Sequence, residues 1–310
     1  MKPSLAIRRN KILQGLLKSV IYNKHDIIAI NKPYGLTVQG NSNTPISLTE
    51  MLDDFANAKG LKNRPRLAHR LDRDSTGVLL LAKSEGAAQY LGEVFRERKV
   101  KKTYWSVVVG SPNEEEGHIR IPLKEQTVNG RFKITLSEEE ISDEYDTDCK
   151  PAHTRYKVLA KNRNTCSLLE LQPVTGYKHQ IRVHLAQGLG TPVLGDHKYS
   201  SEKQQPQVIP LRLLQMLGFS GVPNTQSGKR KIQAWQRALI PLHLHAKEIM
   251  LDDLETKPVI IRAPLPEFFT ETLSSLKLDP LQNKQKKSKA ERRYRDLKQL
   301  GISTNIISGF

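Results

Sequence analysis

The period of the apolar positions changes several times along the chain, and each change marks an element. From 5 to 20 the spacing is helical: Leu5, Ile12, Leu13, Leu16, Leu17 and Val20 form one stripe on an otherwise basic segment. Asp26 to Asn31 is a short, nearly continuous apolar run, which reads as a buried strand broken by Lys32-Pro33-Tyr34-Gly35. Ser47 with Glu50 three residues later has capping-box spacing, so a helix is predicted over 47–59. Val78 to Ala82 is a second fully apolar strand, and Ser84 caps a helix running to about Lys99.

Beyond residue 100 strands dominate. They are expected at 103–109, 118–122, 131–136, 154–160 and 166–173, and near 242–250 and 257–262. His179 to Gln187 reads as a helix or an irregular turn, and one helix at 208–217 lies within a loop-rich stretch from 200 to 235. Glu138 to Asp148 holds seven acids and no base, the pattern of a solvated loop. Past Pro280 a basic helical tail or disorder is expected. Strands outnumber helices and do not alternate regularly with them. That predicts an α+β fold with a mixed, largely antiparallel sheet. The expected organisation is a lead-in helix at 1–24, a core at 25–276 and a basic tail at 277–310.

Charge narrows the function. The chain has 310 residues, enough to bury a core, with 49 Lys+Arg against 32 Asp+Glu and a net charge of +17. Residues 1–25 carry six bases and no acid, and 277–298 carry nine bases and three acids. This surplus favours a polyanionic partner, nucleic acid first and an anionic membrane surface second. No apolar run approaches the ~18 residues of a membrane span. Two cysteines, Cys149 and Cys166, make no disulfide framework and suit a reducing compartment. The acid-free start fits a mitochondrial targeting segment as well as a helix packed on the domain. Lys286-Lys287-Ser288-Lys289 would fit a nuclear signal, though so short a basic run is more often an RNA tail.

Cofactor chemistry leaves no trace in the motifs. The nine histidines and two cysteines show neither H-E-x-x-H nor C-x-x-C, and His243 and His245, two apart on a strand, read as a structural pair. Phosphate-loop, dinucleotide and nucleophile-elbow patterns are missing too. Two stretches remain: His69-Arg70-Leu71-Asp72-Arg73-Asp74-Ser75-Thr76-Gly77, and Thr175 to His184 with the order T-G-Y-K-H-Q-I-R-V-H. Taken alone, both are basic turns, and together they suggest an RNA-binding surface.

These stretches do not stand alone. H-R-L-D-R-D-S-T-G at 69–77 resembles the catalytic motif of the RluA family of RNA pseudouridine synthases. The strand and turn from Asp26 to Leu36, the Phe95 to Tyr104 segment (F…K-x-Y) and the Thr175 to His184 block resemble further family segments. So do Pro192 to Tyr199, Leu242 to Ala246 and Ala263 to Pro266, which brings the ordered match to about 25–270. Several of these segments are most similar to the animal mitochondrial branch. Ser75-Thr76 departs from the common T-S, and Tyr177-Lys178 from the common R-T, which moves one cation by a residue.

The resemblance implies cleavage of the uracil–ribose bond, rotation of the base and reattachment through carbon-5. Such an isomerisation needs no metal and no cofactor. By the same resemblance Asp72 is the catalytic carboxylate, Arg182 pairs with it, and Tyr104 stacks on the uracil with a hydroxyl placed to move the carbon-5 proton. Ile181 floors the base on its other side. Arg70 fills the stack that the flipped uridine leaves, and Lys32 contacts the RNA backbone or supports its turn. The implied partners are mitochondrial rRNA and tRNA, with mRNA third, in the mitochondrial matrix; nucleus or cytoplasm is the alternative. No S4-type domain is expected before the core, so substrate choice would use the core and tails. A different class of protein, a ribosome-assembly factor that binds RNA without needing catalysis, shares the same basic surface.

Overall fold

The computed structural model describes residues 5–40, 46–128, 131–137, 149–200, 207–219, 222–223, 230–231, 234–252 and 258–281. The acidic stretch 138–148 and the tail beyond 281 lie outside the described residues. Helix α1 (Leu5–Lys18) leads into the hairpin β1 (Val20–Lys24) and β2 (Ile27–Lys32), followed by α2 (Leu48–Lys59), β3 (Arg66–Leu67), β4 (Thr76–Ala82) and α3 (Glu85–Arg96). Next come β5 (Lys101–Val109), β6 (Glu116–Ile119), β7 (Leu123–Val128), β8 (Arg131–Leu136), β9 (Cys149–Lys150), β10 (Thr154–Asn162) and β11 (Cys166–Pro173). Helix α4 (Gln180–Val183) runs on into a π turn at His184–Gly188. After α5 (Leu211–Met216), β12 (Val222–Pro223), β13 (Arg230–Lys231) and α6 (Ala234–Ala238), the strands β14 (Leu244–Leu251) and β15 (Val259–Arg262) and helix α7 (Glu267–Ser275) follow.

Ten strands form one sheet, ordered β1-β2-β4-β14-β5-β11-β10-β6, with β15 also on β14 and β3 on β4. The fold is α+β, as the strand-rich pattern predicted. Among the described strands every pairing is antiparallel except β4 with β14. That junction needs Gly77: its φ is +111°, and a Cβ there would collide with the Ala246 carbonyl. In register, Gly77, Ala246, Tyr104 and Leu171 stand in one row across β4, β14, β5 and β11.

Both faces of the sheet are covered here, which is why β4 is buried throughout and apolar from Val78 to Ala82. Alternate residues divide: Ile28, Ile30, Leu79 and Leu81 pack with Leu16 of α1 and Met51 and Phe55 of α2. Ile27, Ala29, Val78 and Leu80 pack on the other face with Leu91 of α3. The α2 capping box is present as predicted, and Gly60 closes that helix in the left-handed region at φ +63°.

Several expectations shift. Helix α1 stops at Lys18, so Val20 belongs to a strand, and Leu5 is exposed instead of joining the stripe. The helix is packed on the domain: Arg9 pairs with Asp54 at 2.7 Å and Leu16 is fully buried. At the other end Leu276 and Leu278 are buried. The flanking helix and turn thus supply side chains that close the packed body. His243 and His245 do share a face, both against Phe269, and are held structurally. His243 bonds to Pro241 O (2.7 Å) and Thr272 Oγ1 (2.9 Å), and His245 to Thr76 Oγ1 (2.8 Å) and Ala263 O (3.3 Å).

Candidate active site

A cleft of about 590 Å³ opens beside Tyr104 of β5, with Lys102 of the same strand and Leu244 of β14 in its lining. One wall is the loop that enters β4. A turn closed by Ser75 N–H on Asp72 O (3.2 Å) leads into the strand, and the Asp72 side chain points inward, 18% exposed. Asp74, two residues on, does not line the cleft. It is clasped on the surface by Arg73, whose Nε and Nη2 each lie 2.9 Å from a carboxylate oxygen. Two acids in one motif are thus set apart by their surroundings.

The facing wall is the turn between β11 and α4. Buried Gln180 fixes it, accepting from Thr175 Oγ1 (2.7 Å) and Tyr177 N (3.1 Å) and donating to His153 O and Thr154 Oγ1 (3.0 Å each). His184, a helical turn on, is anchored to Thr154 Oγ1 (2.9 Å) and Ile121 O (3.0 Å). With these residues holding the turn, Ile181 and Arg182 face the cleft. Arg182 Nη1 donates to Asp72 Oδ2 at 3.1 Å, while its Nε and Nη2 make a bidentate pair with Asp196 at 2.7 and 2.8 Å. The Asp196 side chain is wholly buried and also accepts from the Lys198 and Tyr199 amides.

Burial works against charge on both partners of that pair, and the partners overcome it. The Arg182 guanidinium stays above its ordinary range because Asp196 and Asp72 outweigh its desolvation. Burial would raise Asp196, but the Arg182 bonds and charge, with the two amides, bring it below its usual value. His179, at φ +56°, sets Nε2 3.7 Å from Asp72 Oδ1 and Nδ1 2.5 Å from the Tyr199 hydroxyl. Burial pushes its imidazole down to about 4, against the pull of Asp72. The neutral ring therefore keeps one proton; with it on Nε2, facing the carboxylate, Nδ1 accepts from Tyr199. Tyr104 is half-buried beside them, and its hydroxyl has no hydrogen-bond partner among the described residues. Burial, then the charge of Asp72, raises this phenol and holds it protonated.

Comparison with known proteins agrees with this geometry. Residues 26–187 match the RNA pseudouridylate synthase family model. The chain is 36% identical over 300 residues to the mitochondrial pseudouridylate synthase RPUSD4 of Mus musculus, covering 92% of this chain and 76% of that protein. It is 34% identical over 257 residues to an uncharacterised RNA pseudouridine synthase of Zymomonas mobilis, covering 83% and 97%. The chain belongs to the RNA pseudouridylate synthase family. The solved structure of human RNA pseudouridylate synthase domain containing 4 superposes with a TM-score of 0.72 at 32% identity, covering 88% of this chain and 98% of that one.

In this synthase fold Asp72, Tyr104, Ile181 and Arg182 converge on one cleft, with exposed Arg70 at its rim. Lys32 does not reach it. Fully buried, it donates to the carbonyls of Pro33 (3.0 Å), Leu36 (2.8 Å) and Arg73 (2.8 Å). An ammonium with all three donors taken inside the fold has none for RNA. Lys32 ties the Pro33–Leu36 turn to the loop carrying Asp72. Burial pushes it down to about 7, with Asp74 and Asp72 pulling the other way. Asp196, His179, Tyr199 and Lys102 had no role in the sequence reading, although all four fall inside segments that carry the family resemblance. Among the described residues no cluster of three metal-ligating side chains occurs.

Proposed function

We propose that the chain converts uridine to pseudouridine in mitochondrial RNA, rRNA first and tRNA second, with Asp72 as the essential carboxylate acting on a flipped-out base. The observation that carries this reading is the position of Asp72, aimed into a cleft between Arg182 and Tyr104. Each route available to the carboxylate needs its negative charge: attack on the sugar, attack on the base, or removal of a ribose proton. Arg182, itself clamped by Asp196, fixes the anion in one orientation. Tyr104 offers a ring for the uracil to stack on and a free phenol near carbon-5, and Ile181 supplies apolar contact. The proton that leaves carbon-5 is balanced by one gained at the released ring nitrogen. The mitochondrial assignment is supported by the names of the animal relatives and of a plant relative, and by the basic, acid-free composition of residues 1–25; within the organelle the matrix, where its RNA lies, is the proposed site.

Two experiments test it. Pseudouridines that vanish from transcriptome-wide maps when the protein is depleted should lie in mitochondrial RNA; losses confined to cytoplasmic RNA would overturn the compartment. Asp72→Asn keeps size and planarity but removes the charge. It should bind RNA within a few fold of wild type and yield no detectable pseudouridine in a single turnover. Asp74→Asn, whose partner is the surface Arg73, should keep most activity. Conversion near the wild-type rate by Asp72→Asn would remove Asp72 from the chemistry.

A further inference from the structure

The cleft is unbalanced in charge. Six cations line it, Arg70, Arg96, Arg98, Lys102, Lys178 and Arg182, against one carboxylate, Asp72. Arg182 is committed to Asp72 and Asp196, and Lys178 lies 3.7 Å from Glu125. The side chains of Arg70, Arg96, Arg98 and Lys102 have no hydrogen-bond or ion-pair partner among the described residues. Three of these are exposed arginines, common on any basic surface. Lys102 differs: it is half-buried, on the cleft wall, with a charge that no carboxylate among the described residues pairs.

Its placement says what would answer it. Lys102 and Tyr104 are alternate residues of β5, so both side chains leave the same face, about 6.5–7 Å apart along the strand. Lys102 is nearer than Tyr104 along the chain to α3, and Arg96 and Arg98 line the same cleft. Burial, then the charge of Arg98, pushes its ammonium below the usual range, so the two cations feel each other. Gly176 lies opposite: a Cβ there would come within 3.5 Å of Lys102 Nζ, and the missing side chain leaves the ammonium open to the cleft. A uracil carbonyl carries no net charge to relieve a pair of cations, whereas a phosphodiester does.

We propose that Lys102, with Arg98 beside it, holds the backbone phosphate adjacent to the flipped uridine, at one strand repeat from the ring on which the base stacks. The inference rests on the reading of function above and adds to it a positioning residue that touches the substrate but not the reacting atoms. The grip belongs to binding and register rather than to bond rearrangement.

The probe is a stem–loop RNA bearing a uridine that the full-length wild-type chain converts. It is made with natural linkages, or with an uncharged methylphosphonate at the linkage on either side of that uridine. Lys102→Met should raise the half-saturating concentration about tenfold, equivalent to about 1.4 kcal/mol. The saturating single-turnover rate should stay within a few fold, and the slope of log K against log salt should fall by roughly 0.7–0.9. Lys102→Arg should restore most of the affinity. One methylphosphonate RNA should bind wild type as weakly as natural RNA binds Lys102→Met, with no further loss when the two changes are combined. Equal losses from Lys102→Met on all three RNAs, or a lower saturating rate at unchanged affinity, would overturn the inference while leaving the reading of function intact. A wild-type chain that binds mitochondrial RNA but converts no uridine would overturn the reading of function itself.

Discussion

At the inner end of the cleft Arg182 divides its guanidinium between Asp72 and Asp196, and Tyr199 lies beneath it at 5.0 Å. At the rim Arg70, Arg96 and Arg98 reach solvent without a carboxylate partner among the described residues. The inner network is matched and mostly dry, so a substrate cannot displace it cheaply, and it fixes geometry. The rim is a set of like charges that repel one another until a polyanion arrives. Loss of a charge inside should therefore appear in rate and stability, and loss of a charge outside in affinity and its salt dependence.

Asp72→Asn, with its expected loss of all detectable conversion, is the hardest test of that division. Next is Tyr104→Phe. Its ring still stacks, but the phenol, held protonated by burial and by Asp72, is gone. A single-turnover loss of about 10², the lower end of general acid–base help, is expected. A near-wild-type rate would leave Tyr104 as a stacking platform only. Asp196→Ala removes the buried partner of Arg182 and should cost about 3–5 kcal/mol of stability, with the rate falling roughly tenfold as Arg182 loses its anchor. An unchanged melting temperature would show that Asp72 alone suffices to hold the guanidinium.

The smallest effect concerns pH. Burial pushes His243 and His245 down to about 4, against an ordinary 6.5. As pH falls, the unfolded chain takes up these protons first, so this stability is complete above about 6.5 and is lost on the way to about 4. Melting temperature should fall between pH 7 and 5, while RNA affinity, carried by arginine and lysine, should not weaken. A flat melting temperature, or affinity that drops in parallel, would blur the distinction between interior and rim.

Much of the scaffold was legible because local rules decide it. The Ser47–Glu50 box, the Ser84 cap and the strand at 166–173 were written in adjacent residues. The β1–β2 hairpin was not, since its turn is made by His25 and Asp26 at φ +51° and +56°, without the glycine or asparagine that signals such a turn. Strand β7 and helix α7 were also unread. At the site, the family motif located Asp72 and Arg182, but no local pattern says that Lys32 is buried or that Asp196 is the acid holding Arg182. Both facts arise from contacts between separate segments: Lys32 reaches Arg73, 41 positions away, and Arg182 binds Asp196, 14 positions away on another loop.

The parallel pairing of β4 with β14 has a consequence for how the molecule is made. Strand β14 sits between β4 and β5, and the bond from His245 to Thr76 spans 169 positions. A growing chain can fold the β2–β4 layer and the β5–β11–β10 layer early, each from nearby segments. It cannot join them until residues near 250 have left the ribosome. Asp72 belongs to the first layer and Arg182 to the second, so the pair forms only when β14 slots between them. Nascent chains stopped short of that strand should expose two unpaired sheet edges, at β4 and β5, and become clients of chaperones.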